Sequence, residues 1–281
     1  MTQHFIHYIP RRIGASLPQK NEDLWFATSQ DLGAGFRTPE FHTTRSKKGA
    51  AMRVRKGDVI WIVGQLFSPW GMLPPGVDAM IRVRDIVHGS NGSIKFIASK
   101  SSKWLPLANA TGVLRRLRTI TIDGRGRALL GASYEPDAAV GRYLQSMRHL
   151  ESGEPLVKWT ERLASRPLSF ISYRLCDGTE RAFYTASRLI RRGQTVFWDR
   201  WCLPRRLAER REFVSNAALD RYLMQSLRNS QSVWGVESPA YHEPTSYAAR
   251  EYTAARALGI YRRVPFRQEK TCGPRCFPTR Q

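Results

Sequence analysis

The sequence predicts two parts: a β-rich N-terminal domain and a C-terminal α/β domain built on a parallel sheet. Three observations carry this. Apolar runs at 170–174, 195–199 and 232–238 alternate with helix-length amphipathic segments, the pattern of strands joined by helical crossovers. A further helical stretch, Tyr247-Ala248-Ala249-Arg250-Glu251, follows the third run. Residues 1 to about 105 hold several short strand patterns separated by turn residues, without that alternation.

In the first part, His4-Phe5-Ile6-His7-Tyr8-Ile9 alternates and is closed by Pro10, and Asp23–Thr28 is a second strand candidate. Lys56-Gly57-Asp58 turns into Val59–Val63, an unbroken apolar run suited to a strand buried on both faces. Ala79–Val87 alternates, and His88-Gly89-Ser90-Asn91-Gly92 is a hairpin turn before Ser93–Ala98. Short strands at this density predict a small barrel or sandwich. Trp25, Trp61, Trp70 and Trp104 either line a base-binding cleft or pack a β core. Helical patterns follow at 112–120 and 136–147, where Val140, Leu144 and Met147 share a face and Pro136 suits a first turn. The boundaries expected are a β-rich binding domain with additional helices at 1–150, a linker at 151–167 broken by Gly153 and Pro155, and the α/β domain at 168–281.

The net charge is +22, with a sequence pI near 10.7. Both halves share the excess, and in the second nearly all of it is arginine. The charge suits attraction to polyanions, nucleic acid or phosphate-bearing ligands, and equally a basic surface without a specific partner. No apolar run approaches the ~18 residues of a membrane span, and the N-terminus has no basic-then-apolar signal, so a cytoplasmic protein without membrane contact is expected. Four cysteines do not make a disulfide framework in 281 residues. Cys272 and Cys276 have no second pair or histidine nearby to complete a zinc site, so no metal is expected.

The C-terminal motifs resemble a TIR (Toll/interleukin-1 receptor) domain across roughly residues 168 to 266. The first strand reads Phe170-Ile171-Ser172-Tyr173-Arg174; the second ends Phe197-Trp198-Asp199 before Leu203-Pro204. The third run leads to Ser238-Pro239 and Tyr241. The next helix carries Tyr247-Ala248-Ala249-Arg250-Glu251, similar to the family's W-C-x-x-E with Tyr for Trp and Ala for Cys. The resemblance implies a flavodoxin-like parallel sheet with helices on both faces. After a fourth strand near 259–266 the chain offers no apolar run for a fifth strand and last helix, and Leu203-Pro204 is followed by Arg205-Arg206 where many bacterial members have a glycine. The N-terminal run Arg55–Trp61 loosely resembles strands of PUA-like and EVE barrels, which bind nucleic acid or modified bases.

Many bacterial TIR domains cleave NAD+ between nicotinamide and ribose, and the resemblance implies the same activity here, with NAD+ as substrate and no cofactor. Nicotinamide leaves with its bonding electrons because its ring nitrogen is cationic, so one carboxylate suffices to stabilise the ribosyl cation and align water. The family motif assigns that role to Glu251. Phe170, Ser172, Arg174, Asp177, Trp198, Asp199, Trp201, Ser238 and Tyr247 are implied to border the substrate. Five have a plain alternative: Glu251 a solvated surface residue, Ser172 a strand-end cap, Arg174 an ion pair with Asp177 or Asp199, Trp198 and Trp201 packing. The leading expectation is a triggered NAD+-cleaving effector in bacterial antiphage or toxin-type defence. It would self-associate through the α/β domain and take a nucleic-acid or nucleotide trigger at residues 1–150. The alternatives are a non-catalytic self-associating scaffold and a basic nucleic-acid-binding protein that uses the TIR-like part for assembly.

Overall fold

The computed structural model describes residues 2–13, 32–33, 38–45, 49–89, 92–121, 124–131, 134–135, 138–208, 210–212 and 216–264; side chains at 32–33, 204–216 and 218 are outside this set. The N-terminal half contains β1 (His4–Arg12), β2 (Leu32–Gly33), β3 (Phe41–Thr44), β4 (Val59–Ser68), β5 (Gly71–Met72), β6 (Gly76–His88), β7 (Ile94–Ala98) and β8 (Lys103–Trp104). The helical turn α1 (Thr111–Leu114), β9 (Arg118–Ile120), β10 (Gly126–Ala128) and β11 (Arg148–Leu150) follow.

These strands, β2 excepted, form a ten-stranded sheet in the order β10-β9-β11-β1-β4-β6-β7-β3, with β5 on β4 and β8 on β6. Only β1 and β4 run parallel; the other pairs are antiparallel. Where a small barrel or sandwich is expected, the described residues form one large mixed sheet in which no pairing joins β3 to β10. β1 does not stop at Pro10 but pairs with β4 as far as Arg12. Trp61 and Trp104 are buried in the sheet's cores, so of their two readings packing is the one observed. Trp25, Cys272, Cys276 and the candidate strand at 23–28 lie outside the described residues.

Two other expectations are corrected. The segment expected to be a linker holds helix α2 (Glu154–Ala164), which buries Leu156, Trp159 and Leu163 in the N-terminal core. Pro155 does not break the chain there. It occupies the helix's first turn, where a missing N–H costs nothing. At 136–147 the described residues form only a short 3-10 turn at Val140–Arg142, with Val140 and Leu144 buried.

The C-terminal half continues with β12 (Leu168–Tyr173), α3 (Thr179–Arg191), β13 (Thr195–Phe197), α4 (Asp199–Ala208), β14 (Arg210–Glu212), α5 (Asn216–Arg228), β15 (Ser232–Val236), α6 (Tyr247–Ala257) and β16 (Tyr261–Val264). Four of these strands make an all-parallel sheet in the order β13-β12-β15-β16. The short β14 pairs instead with β2.

From β12 the chain steps to β13 on one side, then returns past β12 to β15 and β16 on the other. Right-handed crossovers place α3 on one face of such a sheet and α5 and α6 on the opposite face. The step reverses between β12 and β15, and ligands of open parallel sheets bind beyond the carboxyl ends of the strands at that reversal. Ser172, Tyr173, Val236 and the turn after β15 stand at this place. No helix among the described residues is long and apolar enough to cross a membrane.

The two halves share one core. Ile13, Leu66, Leu73 and Leu107 of the first half join Phe170, Phe183, Trp198 and Trp201 of the second. Leu107 also exchanges two backbone hydrogen bonds with Val196, at 2.8 and 2.9 Å, and so covers the outer edge of β13. At the other end of the sheet Gly235 leaves room for Tyr261, whose hydroxyl a Cβ there would approach to 2.1 Å. Gly235→Ala is expected to displace Tyr261, break its 2.8 Å hydrogen bond to Glu237 and cost about 1–3 kcal/mol, read as a lower denaturant midpoint.

Candidate active site

Helix α6 begins at Ser246, which caps it by accepting a hydrogen bond from the Ala249 N–H at 2.9 Å. That start fixes which side chains face the sheet: Ala248, Glu251 and Ala255 are the buried ones. Two alanines let the helix approach closely. Between them Glu251 meets the end of β12.

There the Ser172 hydroxyl donates to Glu251 Oε2 at 2.6 Å, and the Tyr241 hydroxyl donates to Ser172 Oγ at 2.9 Å. Glu251 is 6% exposed, and Ser172 and Tyr241 are fully buried. Burial lifts the Glu251 carboxyl to about 8; the hydrogen bond from Ser172 opposes this, while Asp199 and Asp220 add to it. Burial pushes the Tyr241 phenol upward as well.

Side chains alternate across a strand, so Tyr173 points away from Ser172 to the other face. Its hydroxyl donates to Asp199 Oδ1 at 2.7 Å and accepts from Arg200 Nε at 3.2 Å, while the Arg200 N–H also binds Asp199 Oδ1 at 2.7 Å. Burial raises the Asp199 carboxyl to about 6 and lowers the Arg200 guanidinium to about 9. Asp177 ties the loop after β12 to the turn after β15, accepting from Ser238 Oγ at 2.5 Å and the Ala240 N–H at 3.0 Å.

The sequence brings Ser172, Glu251, Asp177, Ser238 and Asp199 to one end of the sheet, and the structure gives each a partner there. Arg174 pairs with Glu243, not with Asp177 or Asp199. Phe170 is core, stacked on Phe197 with centroids 5.0 Å apart. Trp198 and Trp201 are fully buried, so packing describes both indoles. Tyr247 is half-buried, with the Arg250 guanidinium 4.6 Å from its ring centroid. Sequence reasoning missed the Tyr173–Asp199 bond, and the cluster at β16 where Glu237 accepts from Tyr261 at 2.8 Å and pairs with Arg263 at 2.7 Å. The signal for the first was Tyr173 itself, the residue alternating with Ser172.

Two cavities lie away from Glu251. One of about 570 Å³ is bounded by His4, His149 and the start of α2; one of about 680 Å³ lies between the halves, against Trp104, Phe197, Cys202 and Tyr222. Among the described residues no cluster of three or more His, Cys, Asp or Glu could hold a metal ion. What the fold and site define together is a doubly wound parallel sheet with a buried acid at its reversal point. No family model, characterised protein or solved structure matches this chain.

Proposed function

We propose that the chain is an NAD+ nucleosidase of the TIR type, acting through Glu251 in a triggered effector whose residues 1–150 take the trigger. The observation that carries this reading is the Glu251–Ser172–Tyr241 chain, a buried acid held by hydroxyls where β12 and β15 end. The strand order of the second sheet, second-first-third-fourth in chain sequence, agrees with the flavodoxin-like order as far as its fourth strand.

In the reaction the C1′–N bond of NAD+ breaks and both electrons pass to the nicotinamide nitrogen, neutralising the ring. Water then adds at C1′ and loses a proton, giving ADP-ribose, unless an internal nucleophile closes a cyclic product. The ionised Glu251 stabilises the ribosyl cation, and Ser172 holds the carboxyl in place. Because Glu251 is almost wholly covered, the site must open before a ribose can reach it. That suits an enzyme that rests until triggered, with self-association as the opening event.

Nicotinamide release from NAD+ by concentrated protein tests the reading. Release that Glu251→Gln abolishes supports it; no release even from forcibly clustered protein favours a scaffold. The rate also carries a pH signature. With the free carboxyl at about 8, kcat/KM is expected to fall about tenfold per pH unit below that value. The kcat profile should lie at lower pH, since the bound pyridinium favours the ionised acid. A kcat/KM flat from about pH 6 to 9 would exclude Glu251 as the ionising group. The +22 charge supports a polyanionic trigger, tested as RNA or DNA binding that weakens steeply with salt.

A further inference from the structure

We propose that Arg11, backed by Asp78, is a positioning residue for the Glu251 site: it pins Trp201, and through the first turn of α4 sets where Asp199 and Tyr173 stand beside Ser172. The inference rests on Glu251 being the functional carboxyl. It goes further in making the N-terminal sheet a component of the site.

Arg11 lies on β1 and is buried, yet its guanidinium has partners on two sides. It donates to Asp78 Oδ2 at 2.6 Å and to the Trp201 carbonyl at 2.5 Å, and lies 4.9 Å from the centroid of the Trp201 ring. The indole has a prepared seat. Gly64 of β4 and Gly76 of β6 are directly paired across the sheet. A Cβ on Gly64 would come within 3.0 Å of Trp201, and one on Gly76 within 2.9 Å. Glycine weakens a strand interior, and two side by side mark a close approach by another group. Here that group is Trp201.

From Trp201 the connection is short. Its N–H and that of Cys202 bond to the Trp198 carbonyl at 2.9 and 2.8 Å, closing the turn that contains Asp199 and Arg200. Asp199 holds Tyr173, and the preceding residue of that strand, Ser172, is bonded to Glu251. Just upstream, the Leu107–Val196 bonds fix β13 to the first half. A movement of β1, β4 or β6 therefore reaches the carboxyl through bonded groups. Apolar packing alone would join the halves without the desolvation cost of a buried guanidinium, so the ionic pin adds positional specificity.

Two mild variants test this in the full chain. Arg11→Lys keeps a cation beside Asp78 but loses the planar fork that also reaches the Trp201 carbonyl; Gly76→Ala wedges the indole out of its seat. Two measurements are made without NAD+: hydrogen exchange of segments 168–175 and 196–203, and titration of the Glu251 carboxyl by carbon NMR. The charged and hydrogen-bonding groups acting on that carboxyl are Ser172, Asp199, Asp220 and Arg250. Displacing Asp199 removes one of the charges that hold it up. Both variants are expected to speed exchange about tenfold in both segments and to lower the Glu251 midpoint. Faster exchange confined to 196–203, with 168–175 and the titration as in wild type, overturns the proposal, and so does no change in a folded variant. Neither readout depends on NAD+ cleavage, so a wild-type protein that releases no nicotinamide leaves this test intact.

Discussion

Glu251→Gln is expected to raise the melting temperature by about 5 °C at pH 8 and to lower it by about as much at pH 4.5, where only the cost of the amide remains, while reducing nicotinamide release by about 10²–10³-fold. The stability half follows from linkage. The folded carboxyl is held near 8 against an ordinary value of 4.5, so between those values the unfolded chain has released a proton that the folded protein keeps. Stability is therefore present in full below the ordinary value and is lost as pH rises towards about 8. Glutamine carries no such liability. It can still accept from Ser172, but its amide nitrogen needs a partner, which offsets part of the gain and leaves on the order of 2 kcal/mol. A calorimetric melt of both proteins across this range checks it. A variant less stable than wild type at pH 8 would mean that the carboxyl is ionised and paired in the fold. An acid that costs stability where it stands is better explained by what it does than by what it holds together.

What the sequence made legible was whatever depended on near neighbours. The run Phe170–Tyr173, the helix after it and the capped start of α6 at Ser246 are each specified within a dozen residues, and they emerged in the expected order. Glu251 was placed by a motif read against a family resemblance. Its bond to Ser172, 79 residues away, is a product of the crossover topology and has no local signature. The N-terminal half was harder because β9, β10 and β11 are three residues each, too short for alternation to register, and β1 finds its parallel partner β4 only across a long intervening segment. Helix α2 was misread for a different reason. Its Leu156, Trp159 and Leu163 are spaced for one helical face, but Gly153 and Pro155 have the local signature of a break and in fact form its start. The local sequence leaves the tryptophans after β13 as packing or platform, and the seat that decides for Trp201, Gly64 and Gly76, lies more than a hundred residues away.

Asp78→Ala is expected to destabilise the protein by about 3–5 kcal/mol, lowering the melting temperature by about 10 °C. Asp78 and Arg11 are 3% and 5% exposed, so removing the carboxylate leaves a guanidinium that neither water nor another acid can reach without local unfolding. Trp201 then keeps its hydrogen bond to an unneutralised charge, and the seat at Gly64 and Gly76 blocks retreat of the ring toward the sheet. The exposed pairs Lys56–Asp85 and Lys158–Glu154, at 2.8 and 2.7 Å, give the contrast: losing either is expected to leave the midpoint where it was, because water replaces the partner. Arg11→Met combined with Asp78→Leu removes both buried charges and should recover most of the loss, the remainder being the lost hydrogen bond to the Trp201 carbonyl. Denaturant titration of the two single variants and the double variant gives the coupling energy directly. If Asp78→Ala costs no more than the surface variants, water reaches Arg11 and the two halves are joined less tightly than the buried pair requires. A large loss that the double variant recovers would place the pair among interactions kept for where they hold Trp201 rather than for net stability.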